Sequence, residues 1–461
     1  MVSKVDTVWK PELNPEIKVK YLAVVDAIAN AIRGGELCAG DQLPTHRDLA
    51  WDLKMNLSTI TQAYKEATRR HLIGGEVGRG TFVLATSREA ELFALKRAAP
   101  NSVIDLSTNL PAQHPDDEET QNLLSEALSK GAGVDALSYH SPDILTRAQA
   151  ASSKWLSGRG YEVEPREVVP CAGAQQALFA TLLALCGPGA TVLVEEYTFP
   201  GMKAIARQLR LRLHGVACDA EGIIPDAFQT AINNSGAKVA VLVPNLQNPT
   251  GAIMSEERRR RISKVVLEHD LLVVEDDVYG ALSGMSPLAS ELRDNTVLLS
   301  SLSKTVAPGL RFGFVSGAER WISPIRAEVH ATNWAMSPFM IELACMWIEE
   351  ERAFARAEWQ RHEVERRWNL AKSRLKKLGA VCWGRTPCPH LWLATSGSST
   401  EATRKLQAVG VEVVPDSFFA AGRQETDRIR ICLTAPVSQT ILSQALDKLI
   451  QCKESFLVRS N

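Results

Sequence analysis

Residues 300–311 form the sequence SSLSKTVAPGLR, and this stretch decides how the larger part of the chain is interpreted. Lys304 lies among small hydroxyl residues, follows an apolar run, and precedes Arg311 by seven residues. A lysine in such a place is either an ordinary surface charge or a reactive amine whose neighbours hold an anion. The rest of the sequence has to decide between these two interpretations.

Four continuous apolar runs, each ending in polar residues, alternate with helical segments beyond residue 103. They are TVLVEEY at 191–197, KVAVLVPN at 238–245, LLVVEDDVYG at 271–280 and TVLLSSLSK at 296–304. Runs of this kind are typical of parallel strands that are buried on both faces. We therefore predict an open α/β sheet, in which ligands bind beyond the carboxyl ends of the strands.

Each strand end carries a motif that is ambiguous by itself. AGAQQAL at 172–178, which follows the short apolar run EVVPC at 167–171, suits a phosphate at a helix N-terminus, but it is also an ordinary strand-to-helix turn. PNLQNPTG at 244–251 is equally a structural turn, and the acids of EDDVYG at 275–280 could be metal ligands or a solvated strand end. Together they supply the groups that a pyridoxal 5'-phosphate (PLP) site requires. These are a lysine, an acid for the ring nitrogen, and donors for the phenolic oxygen and the phosphate.

Over residues 103–461 the chain resembles PLP-dependent transferases of fold type I, the aminotransferase fold. The resemblance rests on the order of six motifs: AGAQQAL, EEYTFPG, PNLQNPTG, EDDVYG, SLSKTVAPGLRFG and RIRICLTAP. It implies PLP as the cofactor and Lys304 as the lysine that binds it covalently. The other cofactor contacts that it implies are Asp276 at the pyridine nitrogen, Asn248 and Tyr279 at the phenolic oxygen, Phe199 stacked on the ring, and Ala174, Gln175, Ser301, Ser303 and Arg311 at the phosphate.

The same resemblance implies contacts with a second subunit and with a small molecule. Tyr139, in LSYHSP, matches a tyrosine that reaches the phosphate of the neighbouring subunit, so we expect a homodimer. Arg430 matches the arginine that binds a substrate carboxylate. The sequence departs from the family at Asn109, where many relatives have glycine, and in YHSPDILTRAQ after Tyr139. Both departures lie on the substrate side in the family, so the cofactor contacts transfer more directly than the choice of effector.

The first 83 residues predict a separate unit of three helices and a hairpin. Helical periodicity covers 21–33 and 57–72, and THRDLAWDL at 45–53 fits a short helix between them. Thr45 can cap that helix, with Asp48 as its capping-box partner. IGGEVGRGTFV at 73–83 fits two strands around a glycine-rich turn. In the third helix we expect a buried face made of Leu57, Ile60, Tyr64 and Ala67.

Three helices and a hairpin indicate a winged helix-turn-helix, or else a small helical domain used for packing or dimerisation. Charge does not separate these alternatives, because residues 1–83 hold 11 Lys+Arg against 10 Asp+Glu, a net charge of 11 − 10 = +1. The segment from residue 40 to residue 83 resembles the DNA-binding domain of GntR-type bacterial regulators, with LPTHRDLA and GRGTFV as its closest matches. Met55 and Asn56 stand where that family often has Gly-Val. The DNA contacts that the resemblance implies are Arg47, Ser58, Thr59 and Arg79.

The two resemblances together predict a multidomain protein similar to the MocR-type branch of GntR regulators. It has an α+β winged helix-turn-helix at 1–83, a linker at 84–102 and an α/β PLP-binding domain at 103–461. The function that this implies is PLP-dependent transcriptional regulation, with double-stranded DNA and a small amino-compound effector as partners. The alternative is an active aminotransferase that carries an accessory DNA-binding domain.

Composition sets the expected compartment. The N-terminal residues are polar, no apolar run is long enough to span a bilayer, and net charge is −1. The nine cysteines are scattered without CxxC pairs, which favours reduced thiols over a disulfide framework or a zinc site. We therefore expect a cytoplasmic protein with no metal and no membrane partner.

Overall fold

The protein divides into two compact units, residues 1–99 and residues 100–461. The structure is a computed structural model. It describes residues 9–11, 13, 17, 19–34, 37, 41–69, 72–76, 80–83, 103–115, 118–129, 139, 142–376, 384–422 and 427–456. The linker predicted at 84–102 lies outside the described residues.

The N-terminal unit contains the three helices and the hairpin that the sequence predicts. The elements are α1 (Lys20–Gly34), α2 (His46–Asp52), α3 (Leu57–Arg69), β1 (Ile73–Glu76) and β2 (Gly80–Val83). The two strands pair antiparallel, with Ile73 opposite Val83. The third helix spans Leu57–Arg69, and residues 70–71 of the predicted range lie outside the described residues.

Contacts between α2 and α3 fix the helix-turn-helix. The Tyr64 hydroxyl donates to the Pro44 carbonyl at 2.7 Å, and the Tyr64 ring meets the His46 ring edge-on at 4.4 Å between centroids. Thr45 caps α2 by accepting the Asp48 N–H at 3.3 Å. The Asp48 carboxylate bonds the Thr45 hydroxyl at 2.6 Å, so the predicted capping partners do meet.

The prediction that Leu57 belongs to the buried face of α3 is wrong. Ile60, Ala63, Tyr64 and Ala67 form the buried face, whereas the Leu57 side chain is 46% exposed. Leu57 shares the helical phase of Ile60, but it is the first residue of α3 and lies one turn before the packed part of the face. Ala63, which was not among the predicted core residues, is fully buried.

The C-terminal unit is built on a seven-stranded sheet, with a smaller sheet beside it. Its strands are β3 (Ile104–Asp105), β4 (Val168–Cys171), β5 (Thr191–Glu195), β6 (Arg212–Val216), β7 (Cys218–Asp219), β8 (Gly222–Ile223), β9 (Val239–Leu242), β10 (Leu272–Asp276), β11 (Thr296–Ser301), β12 (Gly313–Gly317), β13 (His390–Ala394), β14 (Val411–Glu412), β15 (Val414–Pro415) and β16 (Arg428–Cys432). Its helices are α4 (Glu118–Ala127), α5 (Pro142–Ser157), α6 (Ala174–Leu185), α7 (Pro200–Gln208), α8 (Pro225–Ser235), α9 (Glu256–Glu268), α10 (Gly280–Ser283), α11 (Glu319–Asn333), α12 (Pro338–Glu349), α13 (Arg352–Leu375), α14 (Ser399–Ala408) and α15 (Gln439–Gln451).

The large sheet has the strand order β4-β12-β11-β10-β9-β5-β6. Strand β12 is antiparallel to both of its neighbours, and the other six strands share one direction. The four predicted strands are all present, each shorter than its apolar run because the polar tail of each run belongs to the following loop. That loop is where the functional motifs lie.

Both faces of the large sheet are covered, which explains the continuous apolar runs. Val192 and Val194 pack with α6, α7 and α11 on one face, whereas Leu193 packs with α8 and α9 on the other. Alternate residues of a strand point to opposite faces, so a strand buried on both sides has no polar positions to spare. The helices therefore leave only the strand ends open for polar chemistry.

The smaller sheet has the order β13-β16-β15, and β3 pairs in parallel with β14 beside it. Its core packs against α13 and α15 through residues such as Trp368, Leu391 and Leu442. Arg430 lies in β16, the central strand of this sheet, opposite Trp392. Among the described helices of the chain, none is long and apolar enough to cross a membrane.

The contrast between Ile60 and Leu57 predicts a difference in stability. Ile60→Ala should destabilise the N-terminal unit by about 2–5 kcal/mol, because it removes a fully buried side chain, whereas Leu57→Ala should stay within about 0.5 kcal/mol. Hydrogen exchange of residues 20–83 in the full-length protein, followed by mass spectrometry, measures both variants. Equal acceleration of exchange in the two variants would contradict the burial pattern of α3.

Candidate functional site

The large sheet delivers four of its strand ends to one edge. Strands β4, β9, β10 and β11 run parallel, so the residues that follow each of them gather at the same end of the sheet. Lys304 follows β11, Asp276 is the last residue of β10, Asn248 follows β9, and Gly173 follows β4. The sheet topology thus places the four ambiguous sequence motifs beside one another.

Lys304 carries an amine that is withdrawn from solvent. Its Nζ donates to the Asn109 carbonyl at 2.7 Å and lies 5.7 Å from the centre of the Tyr279 ring. The pKa of Lys304 is lowered to about 8, chiefly by burial; the positive charge of Arg430 acts in the same direction, while Cys432 and Asp276 act to raise it. A substantial fraction of the amine is therefore neutral near physiological pH, which is the form that attacks a carbonyl carbon.

The three consecutive acids at the end of β10 have different partners. Glu275 accepts the N–H groups of Leu288 and Ala289, both at 2.8 Å. Asp277 pairs with Arg159 at 3.2 Å and accepts from Asn245 at 2.9 Å. These two side chains share one face of the strand.

Asp276 points to the opposite face of β10 and has few partners of its own. Its Oδ1 accepts only the Val278 N–H, at 3.2 Å, among the described residues. The pKa of Asp276 is raised to about 6, chiefly by burial; the neighbouring Asp277 acts in the same direction, while the Val278 N–H and Lys304 act to lower it. A buried carboxylate with a raised pKa is stabilised in its ionised form by a cationic group placed next to it.

Gly173 and Arg311 form a tight cradle at the N-terminus of α6. Gly173 has φ +87°, and a Cβ there would lie 2.3 Å from an Arg311 guanidinium nitrogen. Arg311 itself is held in the left-handed region at φ 46°, and its guanidinium makes long hydrogen bonds of 3.3 Å to the Pro308 and Ala172 carbonyls. The guanidinium therefore lies against a helix N-terminus, where unpaired N–H groups and the helix dipole also favour an anion.

The other predicted phosphate contacts surround this cradle. Ser301 and Ser303 are buried, and the Ser303 N–H lies 3.4 Å from the Ser301 hydroxyl. Ala174 begins α6. The Gln175 side chain is turned away to donate to the Gly201 carbonyl at 3.2 Å, so its backbone amide is what it offers at the helix N-terminus.

Arg430 is a buried cation held by neutral groups. Its guanidinium donates to the Asn248 side-chain oxygen at 3.0 Å and to the Ser107 carbonyl, and it lies 4.9 Å from the centre of the Phe419 ring. Within the described part of the chain no carboxylate forms an ion pair with it, and Asp105 acts only from longer range. A buried guanidinium in such surroundings favours an added anion.

Tyr279 and Phe199 lie near this pocket in different ways. The Tyr279 hydroxyl is buried and makes no hydrogen bond of normal geometry with a described residue, although the Asn109 amide is near enough to affect its pKa. Phe199 is the residue before α7 and packs partly buried against the sheet. Its neighbour Tyr197 accepts from Gln247 at 2.6 Å, which ties this loop to the segment that carries Asn248.

Tyr139 is not brought to the pocket by any described contact of this chain. Its side chain is 78% exposed, and its ring lies 6.4 Å from that of Trp334. Among the described residues no group of three or more His, Cys, Asp or Glu could hold a metal ion.

Sequence reasoning missed His390 as part of the pocket. Its Nε2 is 2.9 Å from the Gln247 carbonyl, and its ring lies 5.6 Å from that of Tyr279. Burial lowers the pKa of His390 to about 3, with Arg430 adding to the effect, so the ring is neutral. No local signal marks this histidine, because it is simply the first residue of the apolar strand β13.

The candidate DNA contacts lie on α2 and α3. Arg47 and Ser58 are exposed and Thr59 is half-buried, whereas Arg79 lies outside the described residues. Arg47 borders an open groove of about 630 Å³ between the two helices; its lining is Arg47, Ala50, Trp51, Lys54, Met55, Asn56 and Leu57. That lining contains two cationic residues, Arg47 and Lys54, and no acid, although the exposed Asp48 and Asp52 lie on the same helix as Arg47.

Comparison with known families agrees with both halves of this description. The model described as "Aminotransferase class I and II" matches residues 101–449. The chain belongs to this family. The model described as "Bacterial regulatory proteins, gntR family" matches residues 20–83, so the chain joins a GntR helix-turn-helix to a class I/II aminotransferase domain, the MocR-type combination.

Relatives and solved structures show the same combination and the same fold. The chain is 29% identical over 443 residues to "Uncharacterized HTH-type transcriptional regulator YdeF" of Bacillus subtilis, covering 95% of each protein. It is 26% identical over 328 residues to "Vitamin B6 salvage pathway transcriptional repressor PtsJ" of Salmonella typhimurium, covering 70% of this chain and 74% of that protein. The structure of Pyrococcus horikoshii kynurenine aminotransferase, in complex with PMP, superposes with a TM-score of 0.72 at 23% identity, covering 80% of this chain and 95% of that one. The predicted fold type I architecture is therefore confirmed.

The state of the Lys304 amine can be tested by its reactivity. Competitive acetylation of the cofactor-free full-length protein, followed by mass spectrometry, should show Lys304 labelling with a midpoint near pH 8. Asp276→Asn should move the midpoint to lower pH, because that carboxylate raises the pKa of Lys304, and Arg430→Met should move it to higher pH. Exposed Lys264 serves as the reference. A midpoint that neither substitution moves would rule out the electrostatic coupling of these three groups.

Proposed function

We propose that this protein is a PLP-dependent transcriptional regulator that senses an amino compound in its aminotransferase-like domain and binds operator DNA through its winged helix. The observation that carries the proposal is the pocket of Lys304, Asp276 and the Gly173–Arg311 cradle in a chain that also holds a GntR domain. The relatives YdeF and PtsJ, which are named as transcriptional regulators, support it. A regulator of this kind acts in the cytoplasm, where the bacterial chromosome lies.

The residues of the pocket fit PLP. The Gly173–Arg311 cradle, with Ser301, Ser303 and the α6 N-terminus, suits a phosphate that a Cβ at residue 173 would exclude. The Tyr279 hydroxyl is buried and lacks a well-formed hydrogen bond among the described residues, so its proton is available for a phenolic oxygen. The Asn248 side chain, which Arg430 holds, is the second candidate for that oxygen. Asp276 suits a protonated ring nitrogen, and Phe199 offers an aromatic face. When bound, PLP supplies an electrophilic carbon for amines and a ring that stabilises negative charge.

The chain's own residues prepare that chemistry. Burial lowers the pKa of the Lys304 amine to about 8, so its neutral, nucleophilic form is far more populated near physiological pH than that of an exposed lysine. With PLP bound, Asp276 would hold a proton on the ring nitrogen, since a buried carboxylate gains from a cationic neighbour. Burial of the Asp276 and Arg430 side chains limits their contact with water and keeps these charges strong. The cofactor roles of Ala174 and Gln175 rest on their backbone N–H groups at the start of α6.

Arg430 defines the class of effector. Its buried guanidinium is bonded only to neutral oxygens among the described residues, so a carboxylate or a similar anion is the group that it favours. A compound that carries both an amine for the Lys304 position and an anionic group for Arg430 satisfies both ends of the pocket. We therefore propose an amino acid or a related amino-carboxylate as effector.

The segment from Ser107 to Asn109 can pass the signal. The Ser107 carbonyl accepts from Arg430 and the Asn109 carbonyl accepts from Lys304, so a ligand that moves either cation disturbs the hydrogen bonds of this segment. Residues 103–110 directly follow the proposed linker at 84–102. A ligand shifts an equilibrium only through different affinities for its two states, and coupling of this kind is usually about 1–3 kcal/mol.

Two further assignments complete the proposal. Tyr139 is exposed, which suits a residue that completes a cofactor site in a second subunit, so we propose a homodimer. Arg47, Ser58, Thr59 and Arg79 are the proposed operator contacts. Two winged helices in a homodimer then require two half-sites in the operator.

A second candidate function is transamination. The Lys304 amine, whose pKa is lowered to about 8, together with Asp276 and Arg430 is the arrangement that an aminotransferase needs. The two candidates differ in what depends on the effector: a regulator changes its operator affinity, whereas an enzyme carrying an accessory domain changes only its products.

Lys304→Ala should abolish the visible absorption band of covalently bound PLP and its sensitivity to borohydride, because it removes the amine proposed to bind the cofactor covalently. Lys264→Ala, which removes an exposed lysine, is the matched control and should keep the band. Absorption spectra of the purified proteins after incubation with PLP provide the measurement. A wild-type protein without such a band would disprove PLP binding.

DNA binding should depend on residues 1–83, on salt and on the effector. With a duplex selected from a random pool by the full-length protein, Arg47→Ala should weaken binding and reduce the slope of log affinity against log salt by about 1, because a phosphate contact is lost. The matched control Arg261→Ala, on α9, should change neither.

Amino compounds that alter the PLP spectrum should change operator affinity by roughly 5- to 150-fold. If every reactive compound left operator affinity unchanged, the enzyme would be the better interpretation.

A further inference from the structure

The side-chain amide of Asn109 has unused hydrogen-bonding capacity in the pocket. Both its Oδ1 and its Nδ2 are buried, and neither has a hydrogen-bond partner among the described residues. The Tyr279 hydroxyl is near enough for the amide to influence its pKa, yet the two groups do not satisfy each other with a hydrogen bond of normal geometry. Buried polar groups nearly always have partners, so an amide of this kind indicates a ligand group that completes it.

The position of Asn109 limits which ligand group that is. The Asn109 carbonyl accepts from the Lys304 amine at 2.7 Å. Two residues earlier, the Ser107 carbonyl accepts from Arg430. The amide therefore belongs to the short segment that joins the amine end of the pocket to its anion-binding end, and it meets the substituent carried by the carbon of an effector that lies between those two ends.

We propose that Asn109 selects effectors whose side chain carries a neutral group that both donates and accepts hydrogen bonds, a hydroxyl or a carboxamide. A carboxamide offers donors and an acceptor at once, and it is satisfied only by a partner that does the same. A carboxylate would satisfy Nδ2 and leave Oδ1 without a donor, and an alkyl group would leave both atoms unpaired. Arg430 already provides for the effector's anionic group, so a second anion is not required near Asn109. This inference rests on the proposed sensing function and assigns a substrate class to the same site.

Matched pairs of amino acids test the assignment. L-Asparagine and L-leucine have side chains of similar shape and differ in polarity, as do L-serine and L-2-aminobutyrate, and L-aspartate tests the charge. Binding to the PLP-loaded full-length protein is measured from the visible spectrum and, independently, from the shift in melting temperature. We expect the wild type to bind the polar member of each pair at least about 10-fold more tightly, since a site built for hydrogen bonds rejects an analogue that lacks them.

Asn109→Leu should reduce that preference to within about twofold, because it replaces the amide by an apolar side chain of similar size. Asn109→Gly is the second variant, and it should also lose the preference. Asn234→Leu, an exposed asparagine on α8, is the matched control and should keep the wild-type preference. A PLP band and melting temperature close to those of the wild type show that each variant is folded.

The outcomes separate this inference from the proposed function. Binding of these amino acids with equal affinity within each pair, or with a preference that survives Asn109→Leu, overturns the role of Asn109 and leaves the sensing function standing. Loss of PLP retention in Asn109→Leu with an unchanged preference assigns the amide to the cofactor and also overturns the role. If no amino acid perturbs the wild type by either measurement, the sensing function fails and the assignment fails with it.

Discussion

Burial of the Lys304 amine is the constraint on which the rest of the site depends. An ammonium group in the interior is costly, and this cost lowers the pKa of the Lys304 amine to about 8, while its hydrogen bond goes to a carbonyl rather than to a carboxylate. The closest partner of Lys304 is a carbonyl oxygen, which accepts a hydrogen bond without fixing the proton. Because Asp276 and Arg430 act on the amine in opposite directions, its pKa is set by a balance that a ligand can alter.

Much of this site could be predicted from the sequence, because its motifs stand in a fixed order at the ends of apolar runs. The partners of the three consecutive acids Glu275, Asp276 and Asp277 could not be predicted from the sequence, and Asp276 was singled out only by the family resemblance. The alternation of side chains along β10 distinguishes them: Glu275 and Asp277 face backbone amides and Arg159, whereas Asp276 faces the pocket. Strand order, which is a property of the whole chain, decided which neighbours each acid meets.

Other residues escaped prediction because their roles depend on distant contacts. His390 comes from the smaller sheet and meets Tyr279 from the larger one, and no spacing within the sequence records that meeting. Leu57 has the right helical phase for burial, but burial also requires a partner surface, which is missing at the first turn of α3. Asn109 departs from the family pattern in the sequence, yet only the structure shows that its side-chain amide is buried and that its backbone carbonyl binds Lys304.

The route by which residues 103–110 enter the C-terminal unit has a consequence for the origin of such proteins. The first described residues of this unit pair with β14 through β3 and then, within a few positions, supply the carbonyls that bind Arg430 and Lys304. A gene fusion that appends a domain upstream of this point attaches it by covalent bonds to the segment whose carbonyls accept from Arg430 and Lys304. A fusion downstream of α15 has no such attachment. An ancestral enzyme could thus acquire a ligand-responsive output in one recombination event, with selection needed only to adjust the length and stiffness of the joining peptide.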